Sequence, residues 1–234
     1  MALYGKGMLM TFTETLNEDE VDFNEWYNRE HIDERVWMPG FHRARRYIDA
    51  DGTAAFKYFA TYETTVVQDL ADPEYMELLK DQSDWSKKVM AKFTKFERIT
   101  ADITIDFSHG FGGGCSIAWF NPKTDVMDDL RDYFRDEFLK EIVQAPGVVG
   151  AILAENNLEV VNKGRKAQGI EIPENETPSW IIIVEAQDSV TASRSISSLP
   201  KNGLPKFSLV GSEIETSNYN FCLLYTSPSP RDLG

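Results

Sequence analysis

Apolar positions along the chain switch between two periods, and they do so in the same order twice. Met8 to Thr15 (MLMTFTET) is a β-rich run; after it Phe23, Tyr27 and His31 recur at four-residue intervals, as on one stripe of a helix. Asp22 as N-cap, Glu25 three residues on as its capping-box partner and Val21 placed to staple against Trp26 predict where that helix starts. Its predicted end is near Trp37, before Pro39-Gly40. Phe41 to Ala50 and Ala54 to Thr65 read as a hairpin around Asp51-Gly52. A helical region from Val66 to about Phe93 restarts at Asp72-Pro73, where proline suits a first turn, and Lys95 to Phe107 reads as a long strand. The order is β-α-β-β-α-β.

Displaced by 107 positions, the chain matches itself without a gap: Glu25 to Phe41 (EWYNREHIDERVWMPGF) falls over Asp132 to Val148 (DYFRDEFLKEIVQAPGV). Cys115 to Pro122 takes the place of the first strand, and a helix from about Thr124 carries Met127, Leu130, Phe134, Phe138 and Ile142 before Pro146-Gly147. Strands are predicted over Val148 to Val161, Ser179 to Asp188 and Lys206 to Phe221, with a degenerate helix around Val190 to Leu199. The polar stretch Asn162 to Pro178 reads as a long loop, either a lid or an unstructured connection. The chain therefore divides into an N-terminal repeat (1–108), a Gly-rich flexible linker (109–114) and a degenerate C-terminal repeat (115–221). Cys222 to Asp232, CLLYTSPSPRD, resembles codon for codon the translation of a sequencing-library adaptor, so 222–234 is set aside as an artefact of assembly.

A four-stranded sheet with both helices on one face leaves its other face bare, and two copies in one chain can cover each other. The expected class is α+β: two ferredoxin-like β-α-β-β-α-β repeats fused into a pseudo-symmetric barrel or sandwich. Composition narrows the partners. With 38 acidic and 24 basic residues among 234 the formal charge is -14, which repels phosphate backbones and anionic membrane surfaces. No nucleic-acid or membrane partner is expected. No basic segment precedes an apolar stretch at the start and no run reaches the length of a membrane span, so a cytoplasmic protein is expected.

The match between copies is uneven in its chemistry. Trp26 meets Tyr133, Tyr27 meets Phe134 and His31 meets Phe138, whereas Glu30 and Glu34 recur as Glu137 and Glu141. Only the first copy keeps a histidine in polar company. After the Pro-Gly turn, alternation places Phe41, Arg43, Arg45 and Tyr47 on one face and His42, Ala44 and Arg46 on the other, where the second copy is apolar. An arginine there could hold a carboxylate or oxyanion; for Arg43 and Arg45 ion pairs with Glu30, Asp33 or Glu34 are the preferred reading. The recurrence of Glu30 and Glu34 points to a structural task common to both helices.

Phe23-x-x-Trp26-Tyr27-x-x-x-His31, followed by Pro39-Gly40-Phe41 and Arg46-Tyr47, resembles the EthD-like branch of the dimeric α+β barrel superfamily. Many relatives have proline soon after the histidine, where this chain has Ile32-Asp33. The resemblance implies a site between sheet and helices, in a superfamily of cofactor-free oxygenases, isomerases, cyclases, haem-binding proteins and proteins without known activity. The expected catalytic pair is His31 as general acid/base with Tyr27 as hydrogen-bonding partner, and Trp26, Arg46 and Tyr47 are expected to bind the substrate. The competing reading of His31 is a satisfied structural histidine. No metal site is expected, because His31, His42 and His109 lack ligand spacing, and Ser108 to Gly114 lacks the lysine of a phosphate-binding loop. No cofactor is expected; haem is disfavoured because the second copy, its usual carrier among duplicated relatives, offers no histidine. The expected partner is a small-molecule ligand, on which the enzyme acts by proton transfer as an isomerase, lyase, cyclase or cofactor-free oxygenase. The alternatives are a non-catalytic ligand-binding or stress-related barrel and a fused barrel kept for assembly into a homo-oligomer.

Overall fold

A computed structural model describes residues 3–167, 170–174, 176–199 and 214–227. Eight antiparallel strands, β1 (Gly7–Thr15), β2 (Phe41–Asp49), β3 (Tyr58–Thr64), β4 (Phe93–Asp106), β5 (Gly114–Phe120), β6 (Val148–Asn156), β7 (Trp180–Ala186) and β8 (Glu215–Thr226), close a barrel in the order β1-β3-β2-β8-β5-β7-β6-β4. Each half contributes four neighbours in equivalent order, β4-β1-β3-β2 and β8-β5-β7-β6. The halves join where β2 pairs with β8 and β4 with β6, so both edges of each half-sheet find hydrogen-bond partners in the other.

Alternation along the strands sorts side chains into three apolar regions. Met8, Met10, Phe12, Phe59, Ile117, Ile152, Ile181 and Ile183 point inward and fill the barrel. Leu9, Ala44, Ala60 and Tyr62 point outward beneath the helices of the first half, and Ala118, Leu153, Trp180 and Ile182 beneath those of the second. Fully burying each large apolar side chain contributes about 1.5–3 kcal/mol.

The first half is covered by α1 (Glu20–Trp26), a π-helical turn (Tyr27–His31) and α2 (Ile32–Val36) in one continuous rod, together with α3 (Pro73–Lys80) and α4 (Asp84–Met90). The second has α5 (Met127–Tyr133), a π-helical turn (Phe134–Phe138) and α6 (Leu139–Ile142), then α7 (Leu158–Ala167) and α8 (Ser189–Ile196). Both rods stop at a Pro-Gly turn with glycine at φ +84, at Gly40 and at Gly147, a conformation that a Cβ disfavours. Among the described residues no helix is long and apolar enough to cross a membrane.

Several expected boundaries move. The first rod begins two residues before Asp22, after a short 3-10 turn at Asn17–Asp19. Asp22 is therefore not the cap: its carboxylate accepts from Trp85 Nε1 at 2.9 Å and pairs with Lys88 at 3.0 Å, and Val21 is exposed rather than stapled. The strand expected through Val161 stops at Asn156, because Asn157 accepts from the Val160 amide at 3.1 Å and starts α7, so the expected polar loop is helical over its first part. Val160 is buried against the helix layer of the first half.

The Gly-rich segment is a packed connection, not a flexible one. His109 N donates to Val149 O at 2.9 Å, and a Cβ on Gly112 would lie 1.7 Å from the Ala186 carbonyl oxygen. The boundary at 221 falls inside β8, whose residues 223–226 pair with β2; backbone hydrogen bonds of a ladder make no demand on side-chain identity. The expected strand residues 206–213 and tail residues 228–234 lie outside the described residues.

Candidate functional site

The outer face of the first half-sheet carries a cross-strand row in which Arg98 (β4) faces Thr11 (β1), Thr11 faces Ala60 (β3) and Ala60 faces Arg46 (β2). Residues opposite one another in a ladder project to the same side, so two arginines end a row whose middle is small. Tyr27 descends into that middle from the π-helical turn. Its hydroxyl lies 3.0 Å from Thr11 Oγ1 and accepts from the Tyr62 hydroxyl at 3.1 Å. Burial pushes the Tyr62 phenol well above its ordinary value, which keeps it a donor.

The π-helical turn closes with Ile32 N–H on Tyr27 O, one residue wider than an α-turn, and places His31 beside Tyr27. The imidazole is enclosed by rings: Trp26 at 4.1 Å between centroids, Tyr27 at 4.8 Å and Tyr62 at 6.5 Å. Its Nδ1 is buried and has no hydrogen-bond partner among the described residues. Arg35 Nη1 donates to the His31 carbonyl oxygen at 3.0 Å. Burial first, and then the charges of Arg35 and Arg46, hold the imidazole well below its ordinary pKa of 6.5, so it is neutral at neutral pH.

Beside this ring lies a cavity of about 470 Å³, within the range of small-molecule sites. Leu9, Trp26, Leu79, Met90, Phe93 and Phe96 give it apolar walls, and Thr11, Tyr27, His31, Arg35 and Arg98 supply the polar groups. Such a site can bury a flat apolar ligand and present a neutral imidazole and a phenol to its oxygen atoms.

The expected site residues separate into those that reach the cavity and those that do not. His31, Tyr27 and Trp26 line it. Trp26 is also structural: Nε1 donates to Ser86 Oγ at 2.9 Å, and that hydroxyl donates to Glu30 at 3.1 Å, tying the rod to α4. Arg46 shares the face but lies behind Tyr27, its guanidinium 4.1 Å over the phenol ring and one Nη donating to Asn24 Oδ1 at 2.8 Å. Tyr47, expected to bind substrate, points into the barrel, 3.5 Å from Glu185 and stacked on Phe59. Neighbours on a strand face opposite ways, so Arg46 and Tyr47 cannot share one site. Burial also pushes the Tyr47 phenol well above 10.0.

Arg43 and Arg45 do form ion pairs, with partners other than those expected. A bulge between Phe41 and Arg43 puts Phe41 on the helix side and both arginines inside the barrel. Arg43 Nε lies 2.7 Å from Glu63, and Arg45 bridges Glu63 and Glu185. Those carboxylates are equivalents from the two halves, since Met8 faces Glu63 as Cys115 faces Glu185.

Thr11, Tyr62, Arg35 and Arg98 escaped the motif. For the first three a signal exists: at the equivalent positions of the second half stand Ala118, Val184 and Ile142, the same loss of polarity that singles out His31. There Phe138 offers no donor to a haem iron.

No protein-family model and no curated protein sequence matches the chain. Solved structures do. An anthrone oxidase-like protein superposes with a TM-score of 0.65 at 10% identity, over 98% of this chain and 97% of its own. A candidate monooxygenase from Fusobacterium nucleatum subsp. nucleatum gives 0.58 at 9% identity over 96% of each, and a candidate chlorite dismutase 0.54 at 12% identity over 93% of this chain and 95% of its own. These likenesses concern the fold: an eight-stranded antiparallel barrel closed within one chain, built as fused ferredoxin-like halves in the manner of the dimeric α+β barrels.

Proposed function

We propose that the chain is a small-molecule enzyme of the EthD-like kind, which moves a proton on an oxygenated aromatic metabolite held between the first half-sheet and its helices. His31 is the base. The observation that carries this reading is its buried Nδ1, without a partner among the described residues, on a ring that lines a cavity of about 470 Å³. A histidine kept for structure has its buried nitrogens satisfied, since each unpaired one costs about 1–3 kcal/mol. The neutral ring can take a proton from a phenol or from a carbon beside a carbonyl, leaving a phenolate or enolate. Tyr27, at the end of the Tyr62 hydroxyl chain, meets the ligand oxygen; return of the proton from the imidazolium to another atom completes an isomerisation. The solved anthrone oxidase-like protein, with the same fold, suggests a flat polycyclic ketone as the first probe.

Deuterium exchange into the methylene of anthrone, followed by NMR with and without protein, tests the reading. Acceleration is expected, and His31→Gln is expected to lower it by about 10²–10⁴-fold. Anthrone that binds without faster exchange would leave a binding barrel, and full acceleration by the His31→Gln chain would remove His31 from the chemistry.

A further inference from the structure

The charged residues that line the cavity are all cations: Arg35, Arg98 and, at the mouth, Lys80. Among the described residues no aspartate or glutamate lines it, in a chain whose formal charge is -14. Two of these cations already have acceptors. Arg35 donates to the His31 carbonyl and lies 3.5 Å from Glu34, and Lys80 pairs with Glu77 at 3.3 Å on the surface. Arg98 does not share that arrangement. Its contacts are the Tyr75 hydroxyl at 3.4 Å and the face of the same ring at 5.9 Å, and no carboxylate pairs with it among the described residues. Arg98 is half-buried, and no carboxylate among the described residues offsets its charge.

Its position in the sheet gives that charge a purpose. Arg98 faces Thr11 across the β1–β4 ladder, and Thr11 holds the Tyr27 hydroxyl, so the guanidinium stands on the same wall as the phenol. Two residues earlier on that face is Phe96, stacked on Phe93 with ring centroids 5.6 Å apart, which gives the cavity a flat apolar border next to the cation. A planar guanidinium beside a flat apolar wall suits a planar carboxylate on an aromatic ring.

We infer that the ligand of this cavity is an aromatic carboxylate, its acid group held by Arg98 with Lys80 at the mouth and its ring carried past Phe93 towards Tyr27 and His31. This rests on the reading of the cavity as a site for oxygenated aromatic metabolites, and it adds the charge. The cations of the cavity would draw such a ligand from solution although the chain as a whole is acidic.

Isothermal titration of the full chain with anthraquinone-2-carboxylate and with anthraquinone-2-carboxamide tests it, because the two differ in charge and hardly in shape. The acid is expected to bind about tenfold more tightly at low salt, with the preference shrinking as salt is added. Arg98→Gln is expected to lower the acid affinity to that of the amide measured on the same variant, and Arg98→Glu to invert the preference. Equal affinities for acid and amide in the unaltered chain would overturn the inference whatever the variants do, as would a preference that survives Arg98→Gln. An amide that binds as well as the acid leaves the aromatic cavity standing and removes the anion site; binding of neither removes both. An Arg98-dependent preference in a chain whose His31→Gln variant still exchanges anthrone protons keeps the anion site and removes the proposed base.

Discussion

The two halves of the barrel carry the same π-helical turn, at Tyr27–His31 and at Phe134–Phe138, and set different chemistry around it. In the first half Thr11, Thr13, Tyr27, His31, Arg35, Arg46 and Tyr62 surround the turn; at the equivalent positions of the second stand Ala118, Phe120, Phe134, Phe138, Ile142, Leu153 and Val184, all in one apolar cluster. A groove of about 560 Å³ lies beside the second turn too, lined by Phe138 and Ile142 among others. Space and backbone geometry are thus common to both halves. A widened turn is often taken as a sign of a functional site; here it belongs to the repeat, and the polar set around it is what distinguishes one half.

The largest expected effect comes from giving the first half the residue of the second. His31→Phe should abolish acceleration of anthrone exchange, a loss of about 10²–10⁴-fold by NMR, while thermal unfolding stays close to that of the unaltered chain. A collapse of stability with the activity would show that the ring is structural. Next in size is the charge that locks the halves together. Arg45→Met leaves Glu185 without its cation inside the barrel and should cost about 3–5 kcal/mol in urea unfolding, much of it recovered when Glu185→Leu is added. Equal cost for the single and double variants would mean that Arg45 stabilises through packing alone.

A smaller difference separates the two Pro-Gly turns. Both glycines have φ +84, so alanine is strained at either, by about 1–3 kcal/mol. At Gly40 the added Cβ also comes within 2.5 Å of Asp69, whose carboxylate is fixed by the Val66 amide at 3.0 Å. At Gly147 the nearest atom, 3.0 Å away, is the end of the flexible Gln187 side chain. Gly40→Ala should therefore cost about 1 kcal/mol more than Gly147→Ala by urea unfolding, and a reversed order would show that contacts at the two turns count for less than the backbone.

The repeat itself was legible because it has two strong signals, helical spacing and the Pro-Gly stop, each present twice. The half-sheet order follows from the β-α-β-β-α-β succession. That His31 and Tyr27 face one cavity was legible because they fall on the buried stripe and change character between copies. Strand alternation already separates Tyr47, which lies inside the barrel, from Arg46, although the motif that groups them runs over consecutive residues. The start of the first rod is hidden in the sequence because Asp22 and Glu25 imitate a capping box, while their side chains serve Lys88 and Trp85, and Arg29. Glu63 and Glu185 lie far from Arg45 in sequence, and only barrel closure brings the three together. Arg98 was invisible for a related reason: one arginine on a long strand means nothing until the ladder sets it opposite Thr11.

The smallest expected effect tests the electrostatics of the polar half against the apolar one. Folded His31 has a pKa well below 6.5, whereas the unfolded chain titrates near that value. Above pH 6.5 neither state binds the proton, so the neutral ring carries no penalty. As pH falls below 6.5 the unfolded state takes up a proton that the folded state refuses, and stability is lost progressively until the folded pKa is reached. Carboxylates of the folded chain add their own acid sensitivity, but they are the same in His31→Phe, so the difference between the two chains isolates the histidine. Urea midpoints at about pH 7.5 and about pH 5.5 should fall further for the unaltered chain than for the variant. Anthrone exchange should hold its rate as pH drops through 6.5, because the base is still unprotonated there. A rate that falls at or above pH 6.5, or equal acid sensitivity in the two chains, would mean that the imidazole meets an acidic or solvated environment, and the contrast between a neutral His31 and an inert Phe138 would no longer explain what the first half does.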